Sequence, residues 1–164
     1  MLSSSPRQSD SSKSYARTEA ARLRLVAVVE EMRRRRGGLM DFIPRVARGY
    51  TRPEHLAPVA SIFERAFAGE PVFACVSVPP RHGKTEMVLA AIAWWLSRRP
   101  EDALGYVSYA SAFAESKSSR GRDYATAAGV QLHPSRNTLS EWRTTAGGGL
   151  LATGIGGPLT GQGV

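Results

Sequence analysis

Apolar and polar positions along this chain fall into blocks whose period changes several times. Residues 1–14 are Ser-rich and too poor in apolar side chains to order themselves, which predicts a disordered tail. From Tyr15, Ala20, Leu23 and Ala27 share turns with Leu25, Val26, Val28 and Val29, predicting an amphipathic helix that ends near Arg36, where Gly37 and Gly38 stop it. The basic N-terminal segment as a whole spans residues 15–41. Leu39 to Tyr50 reads as an irregular connector with a few apolar anchors. Thr51 with Glu54 three residues on fits a capping box, and Val59, Ile62, Phe63 and Ala66 at i, i+3, i+4 and i+7 predict a helix to about Phe67. Pro58 either kinks that helix or marks its first turn.

After the turn Gly69-Glu70-Pro71, the run Val72 to Val78 is apolar on both alternating faces, the pattern of a central parallel strand. Met87 to Leu96 is apolar almost all round, as in a helix packed between a sheet and its neighbours, and Arg98-Arg99-Pro100 ends it. Leu104 to Tyr109 predicts a second strand, and Ser111 caps a helix from Ala112 to about Ala128. Strand and helix in alternation favour an α/β fold with a parallel sheet and right-handed crossovers. Thr138 to Thr145 and Leu150 to Ile155 then read as two strands around Gly147-Gly148-Gly149, followed by the glycine-rich loop Gly156 to Gly163.

Length and charge narrow this picture. At 164 residues the chain has room for one domain with a core. The net charge of +8 is uneven, because residues 1–36 hold nine basic and four acidic side chains. That basic head raises the prior for a polyanionic partner, although the run Arg33 to Arg36 reads first as solvated or as a complement to a helix C-terminus. Cys75 is the single cysteine, so neither a disulfide framework nor a Cys-rich metal site forms within one chain, and it reads as a small apolar residue in a buried strand. No secretory signal is visible, and Met87 to Leu96 is half the length of a membrane span. The expectation is a soluble, cytoplasmic protein that does not enter a membrane.

The candidate chemistry lies between the predicted strand at Val72–Val78 and the following helix, in Pro79-Pro80-Arg81-His82-Gly83-Lys84-Thr85-Glu86. A strand, a Gly-Lys-Thr loop and a helix are the parts of a triphosphate site, with backbone N–H groups and the positive end of the helix facing phosphate. Lys84 would reach the β and γ phosphates of ATP, Thr85 would ligate its Mg2+, and the N–H groups of Gly83 to Glu86 would point at phosphate. Arg81 is either a charge clamp on the transferring phosphoryl group or an exposed loop arginine. Pro79 and Pro80 stiffen the loop, and His82 reads as a spacer. The glycine that usually opens such a loop is replaced by Val78. His55 and His133 are isolated and read as structural or surface residues; Trp94, Trp95, Tyr106 and Tyr109 read as core. Hydrolysis would also need an acidic residue at the end of a second strand. None of Glu86, Glu101, Asp102, Glu115, Asp123 and Glu141 ends an apolar strand.

The loop Pro79 to Glu86, preceded by His55 and Ala68-Gly69-Glu70, resembles the ATPase domain of the large terminase subunit of tailed bacteriophages. Tyr109-Ala110-Ser111 with Ala114-Glu115 and Arg122-Asp123, and the tail Ala152 to Gly161, extend the resemblance over about residues 42–164. The resemblance implies a P-loop NTPase fold of the RecA/ASCE kind, incomplete at its C-terminus. In that family the next strand carries two aspartates and a nuclease domain follows; by the resemblance that strand would begin at about Val164, so this chain is expected to lack both. It also implies ATP and Mg2+ as cofactors and Pro80, Arg81, His82, Gly83, Lys84, Thr85 and Glu86 as the nucleotide site. Double-stranded DNA, a small terminase subunit, a portal protein and a homo-oligomeric ring of the full-length protein are the implied partners, in a bacterial host cell. The expected function is the N-terminal portion of an ATP-driven DNA-packaging motor with little or no catalysis on its own. The alternative is a non-catalytic remnant from a degraded prophage or interrupted gene. A small-molecule kinase fits less well, since its loop keeps the leading glycine that Val78 replaces.

Overall fold

Four strands, β1 (Ala103–Ser108), β2 (Leu132–Asn137), β3 (Glu141–Thr144) and β4 (Gly149–Gly154), form one mixed sheet in the order β1-β4-β3-β2. The computed structural model describes residues 19, 21–24 and 37–157. Met1–Gly37 and Gly38–Val164 are distinct compact units. The predicted tail at 1–14 and the glycine-rich loop beyond 157 lie outside the described residues, as does the predicted helix at 15–36 except for residues 19 and 21–24, which are helical.

β4 is buried at every position and is the centre of the sheet. It runs parallel to β1, with Ala103 opposite Gly149 and Ser108 opposite Gly154, and antiparallel to β3, with Trp142 opposite Leu150. β2 continues antiparallel on the far side of β3, with a register shift between Leu132 and Asn137. The sheet is thus mixed, where strand and helix alternation predicts a parallel one. The two strands expected around the glycine turn are β3 and β4. Gly148 is needed there because a Cβ would stand 2.3 Å from the backbone oxygen of Asp102. The hairpin is instead tied to the turn before β1, Gly148 N–H donating to Pro100 O and Gly149 N–H to Asp102 O.

The helices are α1 (Leu39–Val46), α2 (Ala57–Phe67), α3 (Lys84–Leu96) and α4 (Ser111–Ala127), with a 3-10 turn at Glu54–Leu56 before α2. α4 lies on β1 and β4, and α3 lies against α4, α1 and α2. α3 is therefore apolar all round because helices cover it, burying Met87, Leu89, Ile92, Trp94 and Leu96. α1 replaces the connector expected at 39–50. Leu39, Phe42, Ile43 and Val46 bury one helical face, and that burial outweighs the N–H missing at Pro44. Thr51 makes no cap; Pro58 sits in the first turn of α2, so the second reading of that proline is the observed one. No helix among the described residues is long and apolar enough to cross a membrane.

The largest correction concerns Val72–Val78. This run is not a strand: it forms no ladder, Phe73 is 101% exposed, and Cys75 and Val76 are exposed as well. An apolar pattern does not by itself make a strand, because the run must also hydrogen-bond to a neighbour. β1 is an edge strand paired with β4 alone, and Val72–Val78 does not pair with its free side. Between the run and the helices lies an apolar groove of about 430 Å³, lined by Val59, Phe63, Val72, Val76 and Val88 among others. Tyr109, expected in the core, is 74% exposed just past the end of β1.

Candidate functional site

The loop that enters α3 turns through two left-handed residues. Arg81 has φ +63° and Gly83, the residue before the helix, has φ +83°. Glycine adopts this conformation freely, whereas a non-glycine residue such as Arg81 gives up about 1 kcal/mol. Left-handed residues punctuating a loop create the concave array of N–H groups that binds anions.

The loop is braced by its neighbours. Lys84 Nζ donates to Val78 O at 2.6 Å, closing the loop on its own lysine. His82 Nδ1 donates to Pro80 O at 2.9 Å, and His55 Nε2, from the 3-10 turn, donates to His82 O at 3.0 Å. The two imidazoles stand edge to face with centroids 6.0 Å apart. Tyr50 hydroxyl donates to Gly83 O at 3.3 Å. His55 and His82, read from the sequence as isolated and as a spacer, are thus partners in holding the loop's shape.

A cavity of about 430 Å³ opens over this loop, lined by Tyr50, Arg81, Gly83, Lys84, Thr85, Glu86 and Lys117. Of the predicted site residues, Arg81, Gly83, Lys84, Thr85 and Glu86 come together there, while Pro80 and His82 lie outside its lining. Lys117 arrives from α4 and was not legible as a site residue. Arg81 and Lys84 pair with no carboxylate among the described residues, and neither does Lys117, whose ammonium rests 4.8 Å from the centroid of the Phe113 ring.

Glu86, the one carboxylate in the lining, is already engaged. It lies 3.0 Å from Arg120 Nη1 and accepts a hydrogen bond from the Tyr124 hydroxyl at 2.5 Å, while Arg120 Nε donates to the same hydroxyl. Burial pushes the Tyr124 phenol above its ordinary value, and the hydrogen bond to Glu86 adds to the shift. Burial likewise raises Tyr50, with the Glu86 charge contributing. The bond to Tyr124 raises Arg120 further. Both tyrosines are therefore neutral and Arg120 is charged across the physiological range. The cavity holds three cations whose charge is not cancelled locally.

No protein-family model, curated protein or solved structure matches the chain. What the site can do follows from its own residues. The Thr85 hydroxyl is the one uncommitted protein oxygen donor of ordinary metal-ligand type in the lining. No group of three or more His, Cys, Asp or Glu residues with metal-site geometry occurs among the described residues. Asp102 accepts from Trp95 Nε1 at 2.6 Å and Glu141 pairs with Arg143 at 2.7 Å, both away from the cavity. Lys117, Arg120 and Tyr124 fall at i, i+3 and i+7 on α4, and that shared helical face was the available sign that they act together.

Proposed function

We propose that this chain binds ATP with magnesium on the loop Pro79–Thr85, as the N-terminal portion of a DNA-packaging motor of the terminase large-subunit kind. The observation that carries nucleotide binding is the convergence of Arg81, Lys84 and Lys117, none with a carboxylate partner among the described residues, on one cavity at the start of α3. Like charges gathered this way repel one another, and a polyanion turns the repulsion into attraction. The cavity volume of about 430 Å³ lies in the range of small-ligand sites.

In this reading Lys84 exchanges Val78 O for the β and γ phosphates, and the N–H groups of Gly83 to Glu86 donate to phosphate oxygens. The Thr85 hydroxyl, together with phosphate oxygens and water, would hold magnesium, which supplies charge neutralisation between the phosphates. Arg81 adds positive charge at the rim. Glu86 is engaged by Arg120 and Tyr124, and no second carboxylate of the described residues lines the cavity, so in this reading the chain binds nucleotide without splitting it at an appreciable rate. That same feature favours the second reading, a non-catalytic remnant of such a gene. Contact with double-stranded DNA, a small subunit, a portal protein and further copies in a ring belongs to the same proposal and rests on the sequence resemblance.

Calorimetry of the full chain with magnesium and ATP tests the site. Measurable binding to the native chain that falls at least about tenfold in Lys84→Ala is expected, since charge-assisted contacts to phosphate are among the stronger hydrogen bonds. Unchanged binding in the variant would remove the loop from the site.

A further inference from the structure

Lys117 stands apart from the other two cations in its origin. Arg81 and Lys84 belong to the loop and the first residue of α3, whereas Lys117 comes from the second turn of α4, a separate helix that also lines the cavity. α4 is locked to the start of α3 at this level by Arg120 and Tyr124, which grip Glu86 one and two turns further along. The clamp fixes where Lys117 emerges. Its side chain is half-buried, and its ammonium is held by the Phe113 ring, which Tyr109 backs at a centroid distance of 5.2 Å. A cation over an aromatic face at a partly exposed site is held weakly. Lys117 is thus a charged group positioned by its helix, facing a cationic loop, and restrained by a contact that a phosphate oxygen readily outcompetes.

We infer that Lys117 reads the terminal phosphate of the bound nucleotide, so that this site distinguishes a nucleoside triphosphate from a diphosphate. The inference rests on the proposed nucleotide site. The loop N–H groups and Lys84 occupy the α3 side and take the phosphates nearest them. Lys117, from the second helix that lines the cavity, adds a contact to the terminal phosphate that Lys84 also reaches. A diphosphate leaves Lys117 on Phe113; a triphosphate draws it off the ring, linking phosphate length to α4 and to the exposed Tyr109–Phe113 pair.

Affinities of the full chain for magnesium with ADP and for magnesium with a non-hydrolysable ATP analogue, measured by calorimetry, test this. The native chain should bind the analogue more tightly. Lys117→Ala should weaken the analogue about tenfold or more and ADP by no more than about threefold, while Lys117→Arg keeps most of the preference. Equal losses for both ligands, or no loss for either, overturn the role of Lys117 while leaving the nucleotide site standing, provided that Lys84→Ala abolishes binding. A native chain that binds neither ligand overturns both. Circular dichroism and an unchanged urea midpoint identify a Lys117→Ala variant that is folded.

Discussion

Gly83→Ala probes the backbone on which the site depends. A Cβ at Gly83 would lie 1.6 Å from the Tyr50 hydroxyl oxygen and 2.8 Å from Tyr50 Cζ. The tyrosine is the movable party, so it swings away and gives up its hydrogen bond to Gly83 O, a net loss of about 1 kcal/mol. Alanine at φ +83° loses a further 1–2 kcal/mol, roughly, relative to glycine. The sum is about 2–3 kcal/mol of destabilisation. Urea unfolding of the native chain, Gly83→Ala, Tyr50→Ala and the double variant separates the two parts. In the Tyr50→Ala background only the backbone part remains, about 1–2 kcal/mol, so the cycle should return a coupling of about 1 kcal/mol. Additive behaviour would show that Tyr50 does not occupy the space over Gly83. A neutral Gly83→Ala would show that the residue is not left-handed, and the loop geometry would fall with it.

Phe73→Asp should change the unfolding free energy from urea titration by less than about 0.5 kcal/mol, because a fully exposed side chain has little packing to lose; a loss of about 3–5 kcal/mol would mean that Phe73 is a core residue after all. Tyr124→Phe should destabilise by roughly 1.5–3 kcal/mol at pH 8, the range for a hydrogen bond to a charged group. The raised Tyr124 phenol contributes stability that is complete below the unfolded tyrosine value near 10 and is lost as pH climbs through the higher folded value. The gap between native and Tyr124→Phe midpoints should therefore close above about pH 10, and a gap that stays constant to pH 11 would contradict the shift.

Several elements were legible because one local pattern sufficed. α3 announces itself by ten consecutive apolar-rich positions, and Gly83-Lys84-Thr85 marks the loop before it. Val72–Val78 departs from the sequence pattern for a physical reason: alternation reports which faces want cover, and says nothing of whether the run pairs with a neighbour. β4 takes the central place instead, its buried Leu150-Leu151-Ala152 following three glycines that read only as a turn. β2 escaped notice because Leu132–Asn137 is largely polar and exposed, contains Pro134, and owes its extended form to β3 beside it. The Glu86–Tyr124 contact joins residues 38 apart in sequence, and no local period encodes such a meeting. Lys117 carries no local sign of a site and joins the loop residues only because α4 packs against α3.

The unpaired run Val72–Val78 leaves the loop Pro79–Glu86 anchored unequally. Thr85 belongs to a helix sunk in the core, while Val78, whose carbonyl holds Lys84, belongs to a stretch with no ladder. Any edge that docks on this run restricts Val78 O and so the resting place of Lys84. Strand docking and anion binding then become two ligands of a single equilibrium, and their coupling is reciprocal. If docking tightens phosphate binding tenfold, phosphate tightens docking by the same factor, about 1.4 kcal/mol. An edge docked in the groove beside α3 would thereby act as a second input to the proposed nucleotide site.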